Sequence, residues 1–234
     1  MITLSHVSHL NRPQAEDPIV VLGDVSVLFR AGERVGILAA PGSGKSTLAR
    51  LFSGIEQPDE GLIERQGRVS WPLGFAAALH PELSGAENIG LIGAILGQDP
   101  DEMIAFCDAF SGLGARMQRP LKYASPGDRA LLAFSCSLAV PYATYIADEV
   151  LGVGSDQMRA RCQAMLDRRL THAGLIFLSR NPAQIKKTCT TFYVLVSGKL
   201  IACSDPAIGA EVLKLSRVPG ADLGADDMAE MADL

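Results

Sequence analysis

Short apolar runs alternate with amphipathic segments along most of this chain. Near the start, residues 2–7 and 19–29 carry alternating apolar and polar positions, which predicts half-exposed antiparallel strands. Because helical segments separate most of the later apolar runs, the sequence predicts an α/β fold with a mainly parallel core sheet and an antiparallel flank. The later strands are predicted at 34–38, 61–64, 69–71, 144–147 and 175–179, with a hairpin at 192–196 and 199–202.

Helical periodicity fills the intervals between these strands. The segment from Gly85 to about Arg119 is apolar on one helical face, which predicts a helical subdomain inserted at about residues 82–140. A helix over 125–140 completes it, with Ser125 placed as the cap and Pro126 in the first turn. Further helices are predicted at 46–52, 155–173 and 182–188. We therefore expect one domain over 1–217 and an acidic tail over 218–234.

The link between the strand at 34–38 and the first helix has the pattern of a P-loop. Its small residues let the backbone wrap around a phosphate, and the helix N-terminus adds a positive dipole end. In this pattern Lys45 reaches the β- and γ-phosphates of ATP, and the Ser46 hydroxyl binds Mg²⁺. Ala39 stands where the pattern has its first Gly, which is tolerable only at negative φ. The predicted nucleotide-binding residues are Ala39, Pro41, Gly42, Ser43, Gly44, Lys45, Ser46 and Thr47.

The apolar strand at 144–147 ends in two carboxylates, Asp148 and Glu149. In P-loop ATPases such an Asp holds Mg²⁺, and the following Glu can polarise a water in line with the γ-phosphate as a general base. Each motif alone also fits a plainer interpretation, namely a Gly-rich turn or a surface acidic pair. Their joint presence favours a nucleotide site with ATP and Mg²⁺ as cofactors.

Negative charge is concentrated at the carboxyl terminus. The net charge is −5, and residues 221–234 hold five acids and no base. The rest of the chain carries 21 basic and 21 acidic residues, so it lacks the basic excess that is typical of a nucleic-acid-binding protein. The composition of the tail favours disorder, and a short docking helix through Met228, Met231 and Leu234 is the alternative.

The cysteines and the hydropathy exclude several classes of protein. Five cysteines lie mostly in apolar surroundings without a Cys-x-x-Cys pair, which predicts reduced thiols and no disulfide framework or zinc site. The N-terminus has no signal-peptide pattern, and no apolar run reaches the ~18 residues of a membrane span. We expect a cytosolic protein that can still dock on a membrane partner.

Several stretches resemble the ATP-binding subunits of ABC transporters, and more narrowly those that export capsular and related cell-surface polysaccharides. That subfamily typically reads Ser-Trp-Pro-Leu-Gly-Phe and then Leu-Thr-Gly-x-Glu-Asn. This chain has the first run at 70–75 and a close variant of the second at 83–88. Further matches lie at 132–134, 148–151 and 197–200. The resemblance extends from residue 1 to about 203.

The resemblance implies an ATPase that forms a homodimer or pairs with a different ATPase half. It also implies a membrane-spanning permease partner at the cytoplasmic face of a bacterial inner membrane, with polysaccharide as the indirect cargo. The transporter signature falls on residues 124–128, where Ser125 and Gly127 would meet the γ-phosphate of the ATP bound by the other half. Pro126 removes one N–H there, and Asp128 adds a negative charge that disfavours tight closure. An ordinary Ser-Pro helix start is the alternative for this segment.

Four further positions depart from the family pattern, and one of them is Ser155, which stands where the family has a loop Asp. His80 stands where the family has a Gln that senses the metal, and an imidazole can still bind a metal or a water. Arg180 stands at the switch His, where it would pair with phosphate as a fixed cation. The aromatic residue that stacks on adenine is missing near Leu10 and Asn11, where His9 is the only ring.

Two interpretations follow from this mixture of matches and departures. The first is a working ATPase, because the direct contacts to phosphate and metal are all present. Its catalytic residues would be Lys45, Glu149, Arg180 and His80, and its metal ligands Ser46, Asp148 and His80. The second is a subunit that binds nucleotide but hydrolyses it slowly or not at all, as a regulatory or asymmetric partner.

Other classes remain to be weighed against the transporter subunit. A soluble P-loop kinase would not need the signature-like helix start, and a GTPase should carry an Asn-Lys-x-Asp motif, which is absent. A non-catalytic binding module stays open. The apolar segment from Ile89 to Leu96 either packs within its own subdomain or, with Leu79, His80 and Pro81, receives a helix of the permease.

Overall fold

The structure is a computed structural model that describes residues 1–12 and 17–216. The expected acidic tail at 218–234 therefore lies outside the described residues. The chain divides into two compact units. The first is built from Met1–Trp71, Tyr142–Glu149 and the described part of His172–Leu234, and the second from Pro72–Pro141 and Val150–Thr171. The boundaries expected from the sequence, 1–217 with an insertion at about 82–140, stay a prediction.

Nine strands form two sheets in the part of the chain that the structure describes. They are β1 (Ile2–Asn11), β2 (Ile19–Phe29), β3 (Arg34–Ala39), β4 (Glu60–Arg65), β5 (Val69–Pro72), β6 (Thr144–Asp148), β7 (Gly174–Ser179), β8 (Thr191–Val196) and β9 (Lys199–Cys203). One sheet is antiparallel in the order β2-β1-β4, and the other has the order β5-β6-β7-β3-β8-β9. Strands β6, β7, β3 and β8 are mutually parallel, whereas β9 pairs antiparallel with β8. The predicted α/β fold with an antiparallel flank is confirmed.

Seven helices connect these strands in the described residues. The first unit holds α1 (Lys45–Ser53), α6 (Pro182–Thr188) and α7 (Pro206–Leu215), and the second holds α2 (Gly85–Ile95), α3 (Pro100–Ser111), α4 (Pro126–Ala139) and α5 (Asp156–Arg169). Ser125 caps α4, as predicted, by accepting a hydrogen bond from the main-chain N–H of Asp128 at 3.0 Å. The prediction of a helix to residue 173 was too long, because α5 is closed by Leu170 and Gly174 already belongs to β7.

Helix α7 was not predicted from the sequence. Gly209 and its small neighbours hide the apolar periodicity, yet Gly209 is buried because this helix packs closely on the parallel sheet. A Cβ atom at Gly209 would lie 3.4 Å from Val194 and 3.5 Å from Leu38. The usable signal was the start of the helix, since Asp205 caps the Ala207 N–H and Pro206 occupies the first helical position.

The core of the first unit lies between its two sheets and around α1. Leu48 and Phe52 of α1 are fully buried, and Phe52 meets Phe29 of the antiparallel sheet edge-on with ring centroids 5.6 Å apart. No helix among the described residues is both long and apolar enough to cross a membrane. All five cysteines are buried and free, and burial raises the pKa of Cys189 to about 12, which suppresses its reactivity.

Arg65 of β4 ties the antiparallel sheet to the C-terminus of α1. Its guanidinium donates to the carbonyl of Phe52 at 2.7 Å, to the carbonyl of Leu51 and to that of Ile63 at 3.1 Å. The carbonyls of the last helical turn have no partner within the helix, and a cation there also interacts favourably with the helix dipole. Partial burial lowers the pKa of Arg65, but the group remains charged.

Replacing Arg65 with Met should destabilise the first unit. The methionine keeps most of the apolar stem but leaves the Phe52 carbonyl of α1 without its donor, which costs about 1–3 kcal/mol. For a chain of this size we expect a melting temperature lower by about 2–12 °C. The control is Arg12→Met, because Arg12 is exposed and pairs with Asp59 at the surface. Equal shifts for the two variants would contradict a special role for Arg65.

Candidate nucleotide-binding site

Three parallel strands of the first unit end side by side. Leu38 of β3 pairs with Ser179 of β7, and Asp148 of β6 pairs with Leu178 of β7. The loops that follow these strands therefore start at the same edge of the sheet. In open α/β sheets, ligands bind outside the carboxyl ends of the strands, and all three segments here carry polar groups.

The P-loop folds around one of its own carbonyl groups. The carbonyl oxygen of Ala40 accepts hydrogen bonds from the Ser43 hydroxyl at 2.8 Å and from the Lys45 ammonium at 2.9 Å. Lys45 is also the first residue of α1, whose N-terminal N–H groups open onto the loop. Ala39 ends β3 and is not among the residues with positive φ, so the missing first Gly causes no backbone strain.

Two glycines give the loop its turn. Gly42 has a φ of 78° and Gly44 a φ of 86°, both in the left-handed region that favours glycine. Their surroundings differ: no atom lies within 4 Å of a Cβ built on Gly42, whereas one on Gly44 would lie 2.7 Å from the Val21 side chain. Gly44 therefore allows β2 to pack directly against the loop.

The second acidic motif meets the P-loop. The Ser46 hydroxyl donates to a carboxylate oxygen of Asp148 at 2.5 Å, although the two residues are far apart in the sequence. Lys45 Nζ lies 3.6 Å from Glu149 Oε1. The structure thus brings together Lys45, Ser46, Asp148 and Glu149, as the sequence patterns indicated.

Glu149 is anchored to β7 through both its main chain and its side chain. Its N–H donates to the carbonyl of Leu178 at 2.8 Å, and its φ is 61°, which is rare for a residue with a side chain. Its carboxylate accepts from the Ser179 hydroxyl at 2.9 Å and from the Arg180 N–H at 3.2 and 3.3 Å. The sequence analysis missed Ser179; its place directly before the switch position was the available signal.

A cavity of about 170 Å³ adjoins the P-loop and carries two cations. Ala39, Ala40 and Pro41 form one wall, and Arg180 and Lys214 contribute the charges. This places Arg180 beside the loop, as its predicted contact with phosphate requires. Lys214 was missed because it belongs to α7, which the sequence analysis had not assigned.

The region that lacks an aromatic residue for adenine is occupied by a polar network. His9 is 5% exposed, and its Nε2 lies 3.0 Å from Glu56, so the ring is buried and does not offer a face for stacking. Asp59 accepts from the Leu10 N–H at 2.7 Å and from Arg12 at 3.0 Å. These two donors hold the pKa of Asp59 below its ordinary value. The described residues here provide no substitute for the missing ring.

The remaining predicted site residues, His80, Ser125 and Gly127, belong to the second unit. The main chain of His80 is held by Asn88, which accepts from its N–H at 2.6 Å and donates to its carbonyl at 3.0 Å. His80 Nδ1 accepts from the Glu82 N–H at 3.3 Å, so this nitrogen is already used within the turn. The roles of all three residues at the nucleotide stay predictions.

The charge of Asp128 in the signature segment is compensated within the second unit. Arg116 Nη1 donates to both carboxylate oxygens of Asp128, at 2.9 and 3.0 Å. Asp128 also lies in the first turn of α4, where a negative charge is favourable to the helix dipole. The expected repulsion of phosphate by Asp128 is therefore reduced by a neighbouring cation that the sequence analysis did not single out.

The parallel sheet, the P-loop and the paired acidic motif define a P-loop nucleotide-binding domain. The family described as ABC transporter matches residues 22–152. The capsule polysaccharide export ATP-binding protein CtrD of Neisseria meningitidis is 38% identical over 207 residues, covering 88% of this chain and 94% of that protein. The ATP-binding protein BexA of Haemophilus influenzae is 38% identical, covering 76% and 82%. The chain therefore belongs to the ABC transporter family.

A solved structure supports the same fold. The ATP-binding cassette MJ0796, in a dimeric post-hydrolysis state with ADP and Pi, superposes with a TM-score of 0.71 at 18% identity, covering 86% of this chain and 96% of that one. The resemblance to polysaccharide-export ATP-binding subunits that the sequence indicated is confirmed by the similarity to CtrD. This family is one of ATPases, and membership sets aside the soluble kinase and the GTPase.

Alanine at Gly44 should damage nucleotide binding far more than alanine at Gly42. Both substitutions impose the strain of a positive φ, which costs about 1 kcal/mol, but only the first also collides with Val21. We expect Gly44→Ala to weaken ATP affinity at least tenfold relative to Gly42→Ala, measured by calorimetry or fluorescent-nucleotide titration. Partial recovery in Gly44→Ala with Val21→Ala would support the steric cause, and equal losses in the two single variants would contradict it.

Proposed function

We propose that this chain is the ATP-hydrolysing subunit that powers export of a capsular or related cell-surface polysaccharide through a membrane permease. The observation that carries the proposal is the meeting of the P-loop with the second acidic motif, seen in the Ser46–Asp148 hydrogen bond and the Lys45–Glu149 contact. The cargo class rests on the relative CtrD, which is named for capsule polysaccharide export. The proposed location is the cytoplasmic face of a bacterial inner membrane, as a peripheral subunit.

Each group at the site has a defined task in this proposal. The N–H groups at the start of α1 and the Lys45 ammonium bind the phosphates of ATP. The Ser46 hydroxyl and the Asp148 carboxylate are adjacent hard oxygen donors, which fits Mg²⁺. When bound, the ion neutralises charge on the phosphates. Glu149 acts as the general base that orients a water and accepts its proton.

Arg180 and Lys214 add fixed positive charge beside the P-loop. An Arg retains its charge at every physiological pH, so at the switch position it pairs with phosphate but does not shuttle a proton. Proton transfer is therefore assigned to Glu149 alone among the described residues of the first unit. His80 remains proposed as a metal or water ligand supplied by the second unit.

The proposed assembly contains two ATPase halves, identical or different, with Ser125 and Gly127 of one half facing the ATP of the other. Ser125 uses its hydroxyl to cap α4 by accepting from the Asp128 N–H, and its carbonyl accepts from the Arg129 N–H. Because Pro126 has no N–H, the Gly127 N–H is the amide of the first turn that is left to meet an anion. The Arg116–Asp128 pair lowers the local negative charge, which favours the approach of a phosphate. These two features of the second unit support the proposal that the two ATPase halves close on ATP.

Helix α2 is the proposed docking surface for the permease. It is apolar on more than one face: Ile89 is fully buried, whereas Leu91 is 52% and Ile95 is 74% exposed. A helix that is apolar all round is normally buried, so its exposed side calls for a partner. A capping box between Ser84 and Glu87 fixes the start of the helix.

A hydrolysis-impaired regulatory or paired subunit is the second candidate. The observations that favour it are Arg180 at the switch position and the buried His9 where an adenine-stacking ring is expected. In this case Lys45 would still be needed for ATP binding. Turnover would be absent whatever residue stands at position 149.

Substitution of Lys45 and Glu149 distinguishes the two candidates. We expect Lys45→Ala to lose ATP binding and Glu149→Gln to retain binding while turnover falls by about 10²–10⁴-fold, because only the general base is removed. Turnover and binding should be measured on the full chain at high concentration, with the permease where it is obtained. The controls are Lys187→Ala and Glu64→Gln, which change exposed groups. Unchanged turnover in Glu149→Gln would refute the general-base assignment.

A charge on the exposed side of α2 should weaken binding to the permease. Because Ile95 is exposed, we expect Ile95→Glu to change the stability of the chain by less than about 0.5 kcal/mol. Co-purification with the permease from membranes should fall at least tenfold, while ATP binding by the isolated chain stays unchanged. Ile55→Glu is the matched control, since Ile55 is an exposed isoleucine outside α2. Normal assembly of Ile95→Glu would rule out docking at this position.

A further inference from the structure

We propose that Ser179 is a positioning residue that holds the carboxylate of Glu149 for its work as a general base. This inference rests on the proposed function of Glu149 and deepens it. Ser179 is fully buried at the end of β7, and its hydroxyl lies 2.9 Å from Glu149 Oε2. The sequence motifs assign no role to this buried serine, although its hydroxyl bonds to the carboxylate of the proposed general base.

The direction of this hydrogen bond is fixed by its neighbours. The main-chain N–H of Asn181 donates to Ser179 Oγ at 3.1 Å. Because that bond occupies a lone pair of the hydroxyl oxygen, the hydroxyl hydrogen is free to point at the carboxylate. The chain of donors therefore runs from the Asn181 N–H through the Ser179 O–H to Glu149.

Asn181 is itself held in place. Its side-chain oxygen caps α6 by accepting from the N–H groups of Ala183 at 3.0 Å and Gln184 at 3.3 Å. The donor to Ser179 is thus part of a formed helix start, and it does not depend on a long flexible side chain. A positioning hydroxyl is effective when its own supports are rigid.

Ser179 acts together with main-chain contacts, and its contribution differs from theirs. The N–H group of Glu149 fixes the turn by donating to the Leu178 carbonyl at 2.8 Å, and the Arg180 N–H is shared between the two carboxylate oxygens, at 3.2 Å from Oε1 and 3.3 Å from Oε2. Ser179 adds a shorter side-chain hydrogen bond to Oε2, at 2.9 Å. Without it, the carboxylate keeps the shared N–H but loses the bond that distinguishes its two oxygens, and its terminal torsion, which is broad for Glu, is less restricted.

The positioning role predicts a loss in kcat with little change in KM. We expect Ser179→Ala to lower kcat for MgATP by about 10–100-fold and to alter KM by less than about threefold, because the phosphate contacts are untouched. Ser179→Thr keeps the hydroxyl and should recover most of the activity. The matched control is Ser70→Ala, a fully buried serine of the same sheet whose hydroxyl accepts from the Ile146 N–H at 2.9 Å.

A second comparison tests whether Ser179 works through Glu149. In the Glu149→Gln background, Ser179→Ala should cause no further fall in turnover, since the group it positions is already removed. An undiminished effect in that background, or equal losses in Ser179→Ala and Ser70→Ala, would overturn the proposal. If Glu149→Gln lowers turnover while Ser179→Ala does not, the positioning role fails and the proposed function stands.

A readout without turnover keeps the inference testable if the chain proves to be a poor ATPase. The melting temperatures of Ser179→Ala, Glu149→Ala and the double variant form a thermodynamic cycle on the full chain. We expect the double variant to melt at a temperature close to that of the less stable single variant. Strict additivity of the two shifts would show that the hydroxyl and the carboxylate do not interact, and the proposal would be wrong.

Discussion

The parallel pairing of β3, β7 and β6 is the constraint on which the site depends. Parallel strands bring their carboxyl ends to one edge, and the register sets Leu38 beside Ser179 and Asp148 beside Leu178. Residues separated by about a hundred positions in the sequence then meet without long connecting loops. The contact between Ser46 and Asp148 follows from that register, because Asp148 is the last residue of β6 and Ser46 lies in the first turn of α1, which follows β3 through the P-loop.

The parts of the fold that could be predicted were those with a local signal. The P-loop couples small residues to a strand and a helix, so Lys45 and Ser46 were identified together with their surroundings. Ser125 and Pro126 marked the start of α4 because cap residues act within one turn. Helix α7 was not predicted, because Gly209 interrupts its apolar pattern. The reason for this glycine lies in another element, since the helix closely approaches Leu38 and Val194 of the sheet.

The interactions that could not be predicted are those between distant residues whose types are common. Nothing in the sequence near Asp128 indicates that Arg116 neutralises it, and nothing near β4 indicates that Arg65 caps α1. His9 was the ring nearest to the position of the missing adenine-stacking residue. Its ring is buried and bonded to Glu56, so it does not offer a face for stacking on adenine. Such pairings depend on tertiary register, which periodicity and composition do not encode.

The structure also gives a physical explanation of how the chain tolerates Arg180 at the switch position. Residue 180 holds Glu149 through its main-chain N–H, and that donor is available whatever the side chain, proline excepted. The main-chain hydrogen bond to Glu149 therefore does not depend on whether the side chain at position 180 contacts phosphate. Arg180 keeps the first through its backbone and, with Lys214, supplies the cavity beside the P-loop with permanent positive charge. In the proposed mechanism, the chemistry lost with the switch His is proton exchange, while the orientation of Glu149 and the attraction of phosphate are both retained.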